Sequence, residues 1–132
     1  MSKVILHLLL CFVTLFFMGC NNGQTALGGT APETPGVMIF RQNGCQACHA
    51  VEPGVDVPDI GPNLAGSAAV SARRLADPNY TGQAETVAAY IKESIVRPEL
   101  YITEGYEPVM PNYAISISEA DLAELVKYLE GL

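Results

Sequence analysis

All-α is the fold class the sequence predicts, in one small domain built from three or more helices. Three observations lead there. Several segments repeat their apolar residues at helical spacing, and none alternates convincingly enough to make a strand. Between the helices runs an irregular stretch, Ala50 to about Thr81, carrying Pro53, Pro58, Pro62 and Pro78 with Gly54, Gly61 and Gly66. A compact domain rarely supports so much structureless backbone by itself, so the helices are expected to wrap around a large prosthetic group. The chain has 132 residues, 49% of them hydrophobic, which suffices for one core and not for two.

The first element is not part of that domain. Met1-Ser2-Lys3 precedes a nearly all-apolar run from Val4 to Met18, shorter than the ~20 residues a membrane-spanning helix needs, and it reads as an export signal over residues 1–19. Its end, Phe17-Met18-Gly19-Cys20, resembles the bacterial lipobox, in which a small residue precedes a cysteine that is lipidated and becomes the first residue of the mature chain. Gly19 and Cys20 fit; Phe17 stands where leucine is usual. An ordinary cleavable signal, or an anchor that stays in place, is the competing reading. More than one acyl chain on Cys20 would give durable membrane attachment on the extracytoplasmic side. Residues 20–35 then form a tether rich in Gly, Thr, Pro and Asn, with a flexible reach of about 20 Å, and the folded domain spans residues 36–132.

Within that domain a helix is expected over Val37 to Asn43, ended by Gly44. A second is expected from Gln83 to Val96, with Val87, Tyr90, Ile91 and Ile95 on one face and Pro98 closing it. The last is the best defined. Ser118 can cap it, Asp121 stands in capping-box position, Leu122, Leu125, Val126 and Leu129 form one stripe, and Gly131 lies just past the end. No internal repeat is present.

The chemistry lies in Cys45-Gln46-Ala47-Cys48-His49, the C-x-x-C-H signature of covalent haem attachment. Two cysteines three apart on a turn of helix point to one side, so both sulfurs can form thioethers with the vinyl groups of one porphyrin while the histidine is held under the iron. Cysteine accounting agrees: Cys11 leaves with the signal, Cys20 is the lipid site, and only this pair remains. A zinc site would want more ligands than the mature chain offers, since His7 also leaves. A thioredoxin-like pair would want a βαβ context, and a plain disulfide closing so short a loop would stabilise little.

Four segments give the chain a further resemblance, to the class I c-type cytochromes, over essentially all of Gly36 to Leu132. Gly36-x-x-x-Phe40 and Leu125-Val-Lys-Tyr128-Leu129 look like the family's crossing N- and C-terminal helices, with the haem motif between them. Gly61-Pro62-Asn63-Leu64 resembles the segment whose proline carbonyl accepts a hydrogen bond from the axial histidine, which assigns that role to Pro62. The run Arg97-Pro98 through Gly105-Tyr106-x-Pro108-x-Met110-Pro111 looks like the loop that brings a methionine sulfur to the iron. Met1 and Met18 leave with the signal, and Met38 is expected on the apolar side that meets the last helix, so the resemblance gives the sixth ligand as Met110. Tyr101, Tyr106, Tyr113, Arg73, Arg74 and Arg97 are candidates to bind the haem propionates. Ile91 to Tyr113 looks most like cytochrome modules of respiratory complexes, such as the fused domain of cytochrome c oxidase subunit II or the monohaem lipoprotein of alternative complex III.

The resemblance implies one covalent haem c, ligated by His49 and Met110, and an electron-transfer protein of a respiratory or photosynthetic chain. It performs no bond chemistry and acts on no small-molecule substrate; its partners are redox proteins, as a subunit of or donor to a membrane oxidoreductase complex. After cleavage six basic residues face 14 acidic ones, a balance of −8, which argues against nucleic acid and favours a basic protein patch. The competing readings are a haem sensor or peroxidase-like enzyme, which needs an open iron position, and a haem-free interaction module with Cys45 and Cys48 disulfide-bonded.

Overall fold

A computed structural model of the chain describes residues 33–55 and 60–132. The expected export signal, Cys20 and most of the expected tether lie outside those residues. Four α-helices are present, α1 Pro35–Gln42, α2 Ser67–Leu75, α3 Val87–Val96 and α4 Glu119–Glu130, with 3-10 turns at Cys45–Ala47 and Pro98–Leu100. Among the described residues there is no strand, and no helix is long and apolar enough to cross a membrane.

Helix α1 begins two residues before the predicted Val37. Thr34 caps it, its hydroxyl accepting from the Val37 amide at 3.4 Å, and Pro35 occupies the first turn, where its missing N–H costs nothing. It buries Gly36, Ile39 and Phe40. Met38 was expected on that same face, but it is 42% exposed, because two residues of helix turn it about 200° from Gly36. The buried face meets α4 so closely that a Cβ on Gly36 would stand 2.3 Å from Tyr128 Cβ and 2.5 Å from the Glu124 carbonyl oxygen. Phe40 packs edge-on against the Tyr128 ring at 5.8 Å.

Helix α4 follows its sequence signals. The Asp121 amide donates to the Ser118 hydroxyl, which itself donates to the Asp121 carboxylate, and Leu122, Leu125, Val126 and Leu129 are all buried. Each such side chain contributes about 1.5–3 kcal/mol by leaving water. Gly131 ends the helix with an ordinary right-handed φ of −84°, so its conformational freedom is not used there.

The irregular stretch after the haem motif contains a helix that periodicity does not reveal. Its buried residues are Ser67 and Ser71, too small to register as an apolar stripe, yet that smallness lets α2 lie against the core. The Ser67 hydroxyl donates to the Leu129 carbonyl at the end of α4. Helix α3 starts at Val87 rather than at Gln83, because Thr86 is extended and caps it, while side chains hold the segment before it. Gln83 N–H donates to the Glu93 carboxylate and Ala84 N–H to the Tyr80 hydroxyl. Ile39, Phe40, Tyr90, Ile91, Ile95 and the α4 stripe form one core.

Candidate functional site

Just past α1, Gly44 takes a left-handed φ of +72°, which a residue with a Cβ adopts only under strain. The chain then winds tightly: the Cys48 and His49 amides both donate to the Cys45 carbonyl, at 3.2 and 3.0 Å. Cys45 and Cys48 are half-buried free thiols. Burial pushes the Cys45 thiol's pKa up, against its hydrogen bonding, which holds it protonated at neutral pH.

His49 is oriented by Pro62. Its Nδ1 lies 2.8 Å from the Pro62 carbonyl oxygen, and since a carbonyl only accepts, Nδ1 carries the proton. The Nε2 lone pair is therefore available to a metal. Gly61 makes this possible, because a Cβ there would stand 2.7 Å from His49 Cε1 and 3.0 Å from the Cys48 carbonyl oxygen. Asn63 anchors the segment, donating to the Glu52 and Val55 carbonyls at 2.8 and 3.2 Å, while its own oxygen accepts from Ala65.

Met110 arrives on the loop between the Pro98–Leu100 turn and α4. Tyr113 fastens that loop, its amide donating to the Ile95 carbonyl at 3.2 Å and its hydroxyl lying 3.4 Å from the Asn43 carbonyl. Gly105, with φ +87°, makes the turn in which Tyr106 N–H returns to the Thr103 carbonyl. Cys45, Cys48, His49, Pro62 and Met110 all line a single cavity of about 250 Å³. One water needs only about 15 Å³, so the space suits a much larger group. Phe40, Ile91, Ile95, Leu125 and Leu129 give it an apolar wall.

Behind the cavity stands a polar cluster. Glu93 is buried; desolvation opposes its charge, but the Tyr80 hydroxyl, the Gln83 amide and Arg97 together hold its carboxyl below the usual range. Burial and the neighbouring Asp77 carboxylate, at 3.1 Å, push the Tyr101 hydroxyl's pKa up. The Tyr80, Tyr90 and Tyr101 rings pack within 5.3–6.3 Å of one another.

A family model described as cytochrome c oxidase, cbb3-type, subunit III, matches residues 31–129. The chain belongs to that family. No curated protein matches it. As a cytochrome it has the small all-α fold of its class, binds haem c and transfers electrons. The cavity fits a haem by the chemistry of its donors: two thiols, an imidazole whose Nε2 is free, a thioether and an otherwise apolar wall. A metal held by side chains alone has no equivalent place, since among the described residues no group of three or more His, Cys, Asp or Glu could hold an ion.

The cytochrome also uses residues that pattern reading did not single out. Gly61, quoted in the sequence only as the start of the Gly61-Pro62-Asn63-Leu64 segment, leaves the room that the His49 ring occupies. Tyr90 appears in the sequence as one of an apolar stripe, yet it brings a hydroxyl to the cavity. Of the six candidate propionate partners, Tyr101, Tyr106, Tyr113 and Arg74 line the cavity, whereas Arg73 and Arg97 do not.

Proposed function

We propose that this cytochrome is a single-haem electron carrier, held on the extracytoplasmic side of a membrane by lipidated Cys20, and a subunit of or donor to a membrane oxidoreductase complex. One observation carries the haem reading: Cys45, Cys48, His49 and Met110 share an apolar cavity, with His49 Nδ1 committed to the Pro62 carbonyl. In this reading Cys45 and Cys48 would hold the porphyrin through thioethers to its vinyl groups, and His49 Nε2 and Met110 Sδ would ligate its iron. When bound, the haem supplies one-electron chemistry by cycling its iron between ferric and ferrous states. Met110 offers a soft, neutral sulfur that favours the ferrous state, and Tyr113 holds the loop that carries it. Among the described residues His49 is the one histidine that lines the cavity, and in this reading its Nε2 would be taken up by the iron rather than by acid–base work on a bound molecule. The apolar run before Gly19-Cys20 supports the anchor, and the family's description supports the oxidoreductase partner.

The test is the optical spectrum in both redox states, taken on membrane and soluble fractions of a host that attaches c-type haem. Wild type should give a low-spin c-type spectrum, with the weak far-red methionine-to-iron band, in the membrane fraction. Met110→Ala should lose that band and bind carbon monoxide, and Cys20→Ser should move the intact spectrum to the soluble fraction. A wild-type iron that is already high-spin and ligand-accessible would remove Met110 from the site and with it the carrier reading. A Cys20→Ser protein still in the membrane would remove the lipid anchor.

A further inference from the structure

The loop that carries Met110 is held at its two ends. From Ile102 to Asn112 its hydrogen bonds among the described residues are local: Tyr106 N–H to the Thr103 carbonyl, Val109 N–H to the Glu107 carbonyl and Ala114 N–H to the Asn112 side chain. Gly105, Glu107, Pro108 and Val109 are exposed, so packing fixes little of this stretch. At the exit Tyr113 ties the loop to Ile95 and Asn43. The entry, residues 97–101, is held by groups that trace back to one carboxylate, that of Glu93.

Glu93 is 7% exposed and lies off the haem cavity, which its neighbours Tyr90, Ile91, Ser94 and Ile95 on α3 line. Its carboxylate accepts from the Tyr80 hydroxyl at 2.5 Å, from the Gln83 amide at 3.0 Å and from the Arg97 guanidinium at 3.0 Å. Gly82 lets the chain close around it, since a Cβ there would collide with the Glu93 carboxylate and the Tyr80 hydroxyl. The segment so fastened grips the loop entry. The Thr81 hydroxyl donates to the Leu100 carbonyl, and the Tyr80 ring packs edge-on against that of Tyr101 at 5.3 Å. Arg97, the third donor, immediately precedes the Pro98–Leu100 turn. A buried carboxylate is tolerated only where donors surround it, and losing it leaves those donors unsatisfied. Every donor to Glu93 thus belongs to the loop entry or to the segment that grips it.

We propose that Glu93 is a positioning residue for Met110: with Tyr80 and Arg97 it fixes the entry of the Met110 loop, and so sets how firmly the methionine sulfur is presented to the haem iron. This rests on the haem reading above. Because Glu93 lies off the cavity, its influence on the sulfur passes through the backbone at residues 97–101. A thioether ligand raises the reduction potential, so a loosened Met110 lowers it. Neutralising Glu93 without disturbing the loop would do the opposite, since a nearby carboxylate favours the extra positive charge of the ferric state. The electrostatic and the positioning effects of one substitution therefore carry opposite signs.

The test compares holo-cytochrome variants at equal haem content by far-red absorbance, carbon monoxide binding to the ferrous form, reduction potential and amide hydrogen exchange over residues 97–112. Glu93→Gln should weaken the methionine-to-iron band, lower the potential and raise exchange over those residues. It should also speed carbon monoxide binding about tenfold, the lower end of what loss of a supporting contact costs a metal site. Tyr80→Phe, which changes no charge, should move all four in the same direction and by less. Gly36→Ala, which strains the α1–α4 crossing elsewhere in the fold, should lower the thermal midpoint and leave band and potential as in wild type. A wild-type band with a raised potential in Glu93→Gln overturns the assignment, and so does a band lost from Gly36→Ala in step with its stability. Should Glu93→Gln fail to mature, Tyr80→Phe and Arg97→Gln decide: a weakened band in either supports the anchor, and wild-type bands in both end it. A wild type without the band is a separate result, which removes Met110 from the iron and the assignment with it.

Discussion

His49 owes its orientation to a residue with no side chain. A methyl group at position 61 would overlap the imidazole edge, so Gly61→Ala should tilt the ring, break the Nδ1 to Pro62 bond and weaken the hold on iron proposed for His49. Loss of such a supporting contact typically costs 10- to 100-fold in metal affinity or activity. The expected readout is haem that has become partly high-spin and carbon-monoxide-reactive at unchanged covalent content; a wild-type spectrum would mean that the ring tolerates the methyl group. That Cys45, Cys48 and His49 share one cavity was legible in the sequence because they are neighbours along the chain on a single turn. The pairing of Arg74 with Tyr90 was not, because it joins two helices sixteen residues apart and neither residue is unusual in its own segment. Met38 was misread for a related reason: it is apolar and lies in an amphipathic helix, but the face is set by where Gly36 permits contact.

Among the elements, α1 and α4 depend on each other at a single crossing. Gly36→Ala places a methyl group against Tyr128 Cβ and the Glu124 backbone, and backbone cannot rotate away. Overpacking of that kind costs about 1–3 kcal/mol, so thermal unfolding of the holo-protein should show a lowered midpoint with an unchanged visible spectrum below it. An unaltered midpoint would show that the helices separate without penalty. Helix α4 could be read in full because its cap, its stripe and its stop are all local signals. Helix α2 could not, since its buried face is serine and hydropathy is silent there. The predicted start of α3 overshot because Gln83 and Ala84 tie their backbone N–H groups to the Glu93 carboxylate and the Tyr80 hydroxyl, side-chain contacts that apolar periodicity does not register.

At the scale of the whole molecule, charge is the main determinant of encounter. The full chain carries −7, and loss of the basic leader residue would leave the carrier more acidic still. Electron exchange with a basic redox protein should therefore slow as salt is added, by roughly tenfold or more where steering dominates, because the screening length shrinks below about 10 Å beyond 0.1 M. Stopped-flow rates over a salt series measure this, and a rate that rises with salt would assign docking to a partner of the same sign. The crossing of α1 and α4 has a consequence in time as well as in space. Leu125 and Leu129, which form the inner wall of the cavity, are made some eighty residues after Cys45. Until they leave the ribosome, the motif has no pocket to sit in, and both thiols remain open to whatever enzyme first reaches them.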